Sequence, residues 1–409
     1  MRKVPKLRFK EFSDEWEEKN ILELCSMKAR IGWQNLRKEE HLDKGEFYLI
    51  TGTDFYLDKI KWDTAKFVEE ERYLQDINII LKEGDILITK DGSIGKLAFV
   101  ENIGNKKATL NNGIFRIRIE KENHYSKYFY YTFLSKRFKN FLQQLTAGST
   151  IVHLYQKDFE KYKIAYSSLQ EQEKIANFLS SIDKKISLTE EKLELFREYK
   201  KGVMQKIFTQ ELRFKDSNGN DYPEWNLVYT KDISKITMGF TPSTKDEKMW
   251  NGQYKWLSIA DLKENGKYIY KTSKTITDKG IKNKKILSKG TLVMSFKLTL
   301  GRVGILSDNM FTNEAICHFH WLGKDKINTE YIYYYLSNID ITNFGKQAVK
   351  GITLNTESLN SIEIQLPCYE EQQKIADFLS SIDSKIENIE KELEGLKEFK
   401  RGLLQQMFV

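Results

Sequence analysis

Leu169–Phe208 reads LQEQEKIANFLSSIDKKISLTEEKLELFREYKKGVMQKIF, and Tyr369–Phe408 reads YEEQQKIADFLSSIDSKIENIEKELEGLKEFKRGLLQQMF. Aligned without a gap at an offset of 200, the two segments share 21 of 40 positions, which marks an internal duplication. In the first copy Ile175, Phe178, Ile182, Ile186, Thr189, Leu193, Phe196, Val203 and Ile207 fall at steps of three and four, except where Lys200 interrupts. The second copy puts Ile375, Phe378, Ile382, Ile386, Ile389, Leu393, Leu396, Leu403 and Met407 at the same places. This is the apolar stripe of a helix whose other faces carry Glu and Lys. Neither copy contains proline, and Pro367 stands just ahead of the second, where a helix can begin. At 1.5 Å per residue each rod is about 60 Å long, too long to bury its stripe in its own domain. Helix 1 ends at the second half of the chain and helix 2 starts from it, so the spacing predicts an antiparallel coiled coil between them. In the competing arrangement each rod packs on a separate protein, leaving two modules on a string.

Outside these segments the repeat continues more faintly. Lys6-Leu7-Arg8-Phe9-Lys10 returns as Glu211-Leu212-Arg213-Phe214-Lys215, and Glu15-Trp16 as Glu224-Trp225. Gly84-Asp85-Ile86-Leu87-Ile88 returns as Gly290-Thr291-Leu292-Val293-Met294, and Tyr128-Phe129-Tyr130-Tyr131 matches Tyr331-Ile332-Tyr333-Tyr334-Tyr335. The chain therefore reads as a tandem repeat of a globular domain followed by a long helix: 1–168, 169–209, 210–366 and 367–409. The two halves are expected to be related by a pseudo-twofold axis. Short Val, Ile, Phe and Tyr runs broken by Gly, Asn and Asp make each domain an α+β mixture.

The whole chain of 409 residues carries 66 Lys and Arg against 58 Asp and Glu. The helical segments hold a formal −2, so the positive excess of +10 belongs to the globular domains. That balance permits a polyanionic partner without requiring one. No apolar run approaches the ~18 residues of a membrane span, and Met1–Phe12 has no apolar leader, so a cytoplasmic protein without membrane contact is expected. Cys25, Cys317 and Cys368 are too far apart for a thiolate zinc cluster or a disulfide framework. Basic and polar residues gather in the expected loops: Lys90, Ser93 and Lys96; Lys297 and Arg302; Lys346, Gln347 and Lys350. Cations for phosphates and forked or amide donors for base edges are what DNA reading requires. The same residues would equally serve as ordinary solvated loops.

No catalytic constellation assembles. The four prolines, Pro5, Pro223, Pro242 and Pro367, are never adjacent, which excludes the Asn/Asp-Pro-Pro-aromatic segment of an adenine methylase. Every Gly-Lys pair lacks the following Ser or Thr of a phosphate loop. His318 and His320 flank Phe319 without a third metal ligand nearby. Gly92-Ser93-Ile94-Gly95 matches a GxxG clamp but reads as a turn, and Ser93 to Lys96 matches SxxK without its companion motifs.

Two variable domains alternating with two near-identical helices resemble the specificity subunit of type I restriction-modification enzymes. The helix openings Gln170-Glu171-Gln172-Glu173-Lys174-Ile175-Ala176 and Glu370-Glu371-Gln372-Gln373-Lys374-Ile375-Ala376 resemble that family's EQ-x-x-I-A signature, and Leu366-Pro367 and the Leu-Arg-Phe opening of each half also fit. Tyr166-Ser167-Ser168 departs from the family's Leu-Pro step. The resemblance implies two target recognition domains, each reading half of a bipartite site in double-stranded DNA. It also implies helices that set the gap and dock modification subunits, two of them, joined by restriction subunits. Catalysis, with S-adenosylmethionine, ATP and Mg, would sit on those partners, leaving this chain without a cofactor or catalytic residue of its own. Ile175, Phe178, Ile182, Ile186 and Leu193, with Ile375, Phe378, Ile382, Ile386 and Leu393, are the candidates for helix pairing and docking. The rival readings are an autonomous DNA-modifying enzyme and a scaffold that never meets DNA.

Overall fold

The computed structural model describes residues 4–32, 36–56, 59–120, 124–146, 153–281, 283–323, 325–348 and 351–409. They form two compact units, Met1–Glu190 with Lys391–Val409, and Glu191–Glu390. Each unit thus takes one globular domain, one end of each long helix, and no more.

In the first unit Cys25–Lys28, Ile114–Ile119, Ile86–Thr89 and Leu97–Phe99 form an antiparallel sheet in that order. Ile86–Thr89 is buried along its whole length and Ile114–Ile119 over its first four residues, which suits their β-branched runs. A second sheet sets Phe47–Ile50 antiparallel to Lys66–Val68 and parallel to Lys107–Leu110. The helix Ser126–Leu134 buries its aromatics against the first sheet. The second unit repeats the plan. Ser234–Met238, Ile316–Trp321, Leu292–Ser295, Val303–Leu306 and Tyr268–Ile269 form one sheet. Trp250–Leu257 lies between Lys274–Ile276 and Phe311–Thr312 in another, and Thr329–Asn338 is the aromatic helix.

The long helices span Leu169–Phe208 and Tyr369–Gln406. In the first unit Asp183 pairs with Lys400 at 2.7 Å, Lys185 with Glu392 at 3.4 Å and Glu190 with Lys397 at 2.7 Å. From Asp183–Lys400 to Glu190–Lys397 the number rises on one helix and falls on the other, so the pairing is antiparallel, with the long Lys185 side chain reaching along the seam to Glu392. In the second unit Lys200 meets Asp383 at 2.6 Å and Arg197 meets Glu390 at 2.7 Å, the same contacts displaced by 200 residues. Lys200 interrupts the stripe because its ammonium bridges to Asp383 across the helix pair and lies over the Tyr334 ring.

The stripe is not uniform in what it buries. Ile175, Ala176, Leu179 and Ile182 join Trp16, Tyr128 and Phe133 in the core of the first domain, and Leu403, Leu404, Met407 and Phe408 complete that core. Ile375, Ala376, Leu379 and Ile382 do the same in the second unit, where Val203, Met204 and Ile207 come from the other helix. The opening turns of each rod do find cover in their own domain. Phe178, Ile186, Phe378, Ile386 and Leu393 are half-buried, and Leu193 is buried.

The signature residues at the helix openings bolt each domain to its helix. The buried Glu171 carboxylate accepts from Arg8 Nε (2.7 Å) and Nη2 (2.8 Å) and from Trp16 Nε1 (3.2 Å). Glu371 accepts from Arg213 Nε (3.2 Å) and Nη2 (2.9 Å) and from Trp225 Nε1 (2.9 Å). Gln172 donates to the Ser167 carbonyl and accepts from the Tyr125 N–H, while Gln372 donates to the Pro367 and Lys326 carbonyls and accepts from the Asn328 N–H. Buried polar groups are thereby satisfied at a loop-to-helix junction, where an orphaned group is costly. The missing Leu-Pro step before the first helix changes little: Gln172 N bonds Ser168 O as Gln372 N bonds Cys368 O, both at 3.0 Å.

Candidate nucleic-acid interface

Lys90, Ser93 and Lys96 lie on the turn joining Ile86–Thr89 to Leu97–Phe99, and Lys297 and Arg302 lie on the matching turn joining Leu292–Ser295 to Val303–Leu306. The two turns are built alike. Thr89 Oγ1 donates to the Ser93 carbonyl and accepts from Lys96 N at 2.9 Å. Ser295 Oγ donates to the Thr299 carbonyl and accepts from Arg302 N at 3.1 Å. Gly95 N bonds Thr89 O as Gly301 N bonds Ser295 O, each at 2.9 Å. Gly95 and Gly301 have φ of +81° and +75°, and a Cβ there would sit 2.6 Å from Leu142 and 2.8 Å from Ile341. Positive φ and close packing both demand glycine, so each turn is held stiffly at the edge of its sheet. The GxxG and SxxK matches in the first domain are this turn.

Lys96 and Lys297 are exposed, and Lys90 and Arg302 half-exposed. Lys90 and Lys297 lie over the Phe115 and Phe296 rings. Among the described residues none of these four cations makes an ion pair, whereas Arg116, Arg118, Lys127, Lys255 and Lys267 do. Unpaired cations on a stiff turn are available to phosphates without first breaking an internal contact. His153 Nδ1 lies 2.6 Å from Asp91 Oδ1, and Leu154 N bonds Lys90 O, tying the next loop to the same turn. Asp91 lies in the repeated turn, opposite Lys297, whereas His153 falls in no repeated segment and nothing in the sequence marks it. Lys346 and Gln347 lie on the strand Lys346–Ala348, paired with Gly351–Thr353, and the strand follows Ile341–Phe344, which packs on Gly301. Lys350 lies outside the described residues.

The two domains differ in the polar residues of their central sheets. In the first, Arg118 Nε and Nη2 both bond the Asp85 carboxylate at 2.7 Å, and Arg116 lies 3.8 Å from it. At the matching strand positions the second has His318 and His320, with Thr291 for Asp85. A cavity of about 650 Å³ is left, lined by Thr237, Phe240, Leu287, Phe311, His318 and Trp321 among others. Thr237 Oγ1 sits 3.0 Å from His318 Nδ1 and 2.8 Å from His320 Nε2, and Thr312 Oγ1 sits 2.6 Å from His318 Nε2. The imidazoles are occupied by hydroxyls, as neutral rings. Burial pushes His318 down to about 3, with His320 a second cause, and burial with Lys235 and Lys285 lowers His320.

The two halves of the chain match one and the same family model. The type I restriction modification DNA specificity domain fits residues 13–195 and again 222–398. The chain belongs to that family. The specificity subunit of the type I restriction enzyme MjaVIII of Methanocaldococcus jannaschii is 26% identical over 95% of both chains. The MjaIX specificity subunit of the same organism is 33% identical over 49% of this chain and 48% of its own length. The crystal structure of the type I restriction-modification S subunit of M. genitalium shares the fold, with a TM-score of 0.59 and 16% identity over 99% of each chain. Within the specificity family frame the helix-opening residues Glu171, Gln172, Glu371 and Gln372 are structural. Their place in the repeat gave their importance away, but only the fold shows what they hold. No helix among the described residues is long and apolar enough to cross a membrane.

Proposed function

We propose that the chain is the DNA-reading subunit of a type I restriction-modification complex, with residues 1–168 and 210–366 each reading one half of a bipartite duplex site. The observation that carries this reading is the duplicated turn, Thr89–Lys96 and Ser295–Arg302, which presents unpaired cations from the same stiff frame in both specificity domains. Lys90, Ser93, Lys96, Lys297 and Arg302 contact DNA in this reading, joined by Lys346, Gln347 and Lys350. Cations there hold phosphates and fix register, while hydroxyl, amide and guanidinium groups meet base edges.

The helices then serve as the ruler. Two modest half-site contacts held at a fixed separation become one tight contact, because the second binds at high effective concentration once the first is made. The exposed flanks of the helices receive modification subunits, two by the repeat, and restriction subunits join them. S-adenosylmethionine, ATP and Mg act on those partners, and this chain contributes recognition without catalysis.

Selection from a randomised duplex DNA pool by the full chain with its modification subunit tests the reading. Two conserved half-sites with a fixed gap are expected, with affinity falling by a thousandfold or more between 50 and 200 mM salt if about 6 to 10 phosphates are held. A pool that stays random at low salt would favour the scaffold, and DNA methylated by the chain alone would favour the autonomous enzyme.

A further inference from the structure

Leu298 is 92% exposed and has φ of +65°. Its counterpart in the first domain, by the matched turns, is Gly92, with φ of +67°. One turn geometry is therefore met by the residue that adopts it freely in one domain and by a γ-branched apolar residue in the other. A leucine there carries two penalties: backbone strain in the left-handed region and a hydrocarbon side chain in water. Glycine at the same position would remove both. Strain of this kind gathers at sites that grip a ligand.

The tip does not move freely to hide the side chain. Ser295 holds the Thr299 carbonyl and the Arg302 N–H, Gly301 N holds the Ser295 carbonyl, and Gly301 abuts Ile341. Lys297 precedes Leu298 directly, and Arg302 closes the same turn. An apolar tip between two cations, neither ion-paired among the described residues, fits a surface that is apolar inside and anionic at its rims. Duplex DNA is such a surface: base pairs between two phosphate rows.

We propose that Leu298 is a base-contacting residue of the second domain, with Lys297 and Arg302 holding the flanking phosphates. This rests on the reading of the domains as DNA readers and deepens it. The chemistry is apolar contact with a base, either a thymine methyl in the major groove or the face of a base exposed by opening a step.

The experiment compares the wild-type chain with Leu298→Gly and Leu298→Asn, each in complex with the modification subunit. Both replacements tolerate the backbone conformation, so the fold is kept, and the melting temperature is expected to hold or rise. Relative affinities are then measured for duplexes carrying each single base change in the selected site. Discrimination at one or two base pairs of one half-site is expected to fall by about tenfold, with the other half-site and the slope of affinity against salt unchanged. Deoxyuridine in place of thymine should reproduce the loss if a methyl is read. A rise in 2-aminopurine fluorescence on binding, absent in Leu298→Gly, should appear if a step is opened. A selective wild type beside an equally selective Leu298→Gly would overturn the role of Leu298 alone. A wild type without sequence preference would overturn the reading of the domains, and the residue's role with it.

Discussion

Glu371→Ala isolates the bolt between the second domain and its helix. The carboxylate is fully buried, and its removal strips Trp225 Nε1 of its acceptor at 2.9 Å and Arg213 of two contacts. An orphaned buried N–H costs about 1 to 3 kcal/mol, and breaking a buried ion pair from one side costs about 3 to 5 kcal/mol. Arg213 is 20% exposed and keeps the Pro223 carbonyl at 2.8 Å and the Tyr222 carbonyl at 3.3 Å, which places the total near the sum of the two low ends, about 4 kcal/mol. The guanidinium is shifted upward chiefly by its hydrogen bonds to Glu371, so the pair acts as an ion pair in the folded chain. Native-state hydrogen exchange of the full chain reads the loss directly in peptides from Asn226–Tyr229 and the start of the second long helix. Arg213→Met with Glu371→Met should recover about half of the loss, because no charge is then left unpaired. A loss below about 1 kcal/mol, or strictly additive losses in the double variant, would refute the bolt. Glu171→Ala should behave alike in the first unit.

Two further perturbations follow from particular side chains. His318, at about 3 when folded against an ordinary 6.5, favours folding in its neutral form. Its contribution is whole above about pH 6.5 and is lost as pH falls toward 3, because the unfolded chain takes the proton first, at up to about 1.4 kcal/mol per pH unit. His318→Gln should flatten the fall in second-unit exchange protection between pH 7 and 5, and an unchanged slope would contradict the burial. Ile182→Asp with Ile382→Asp places a carboxylate in the core at which each domain meets both long helices, where the native side chains are 7% and 3% exposed. Loss of the modification subunit on co-purification is expected, and an intact complex would count against the helices as its dock.

Much of the architecture was legible because duplication prints itself in sequence. The stripe from Ile175 to Ile207, repeated 200 residues on, required two helices and an antiparallel pairing, and Asp183–Lys400 with Lys200–Asp383 realises it. Glu171 and Glu371 were visible as identical residues, yet their role depends on Arg8, Trp16, Arg213 and Trp225, which only the fold brings near. The burial of Ile175 and Ile375 inside their own domains is not legible in the sequence, since periodicity gives the buried face of a helix but not what covers it. Topology was illegible for a similar reason: the parallel pairing of Phe47–Ile50 with Lys107–Leu110 joins strands whose local patterns carry no record of each other. Among the candidate loop residues, Lys90, Lys96, Lys297 and Arg302 proved to share one turn geometry, a likeness of backbone that Gly92 and Leu298 conceal in sequence.

The claim that the helices act as a ruler is tested most directly by lengthening them together. Seven residues of matching heptad pattern inserted after Glu190 and after Glu390 add about 10 Å to the pair, the rise of about three base pairs. The site selected from a randomised duplex pool by this variant with its modification subunit is the measurement. Both half-sites should return unchanged with the gap between them widened by one to three base pairs. The original gap retained, with the same half-sites at full affinity, would contradict the account.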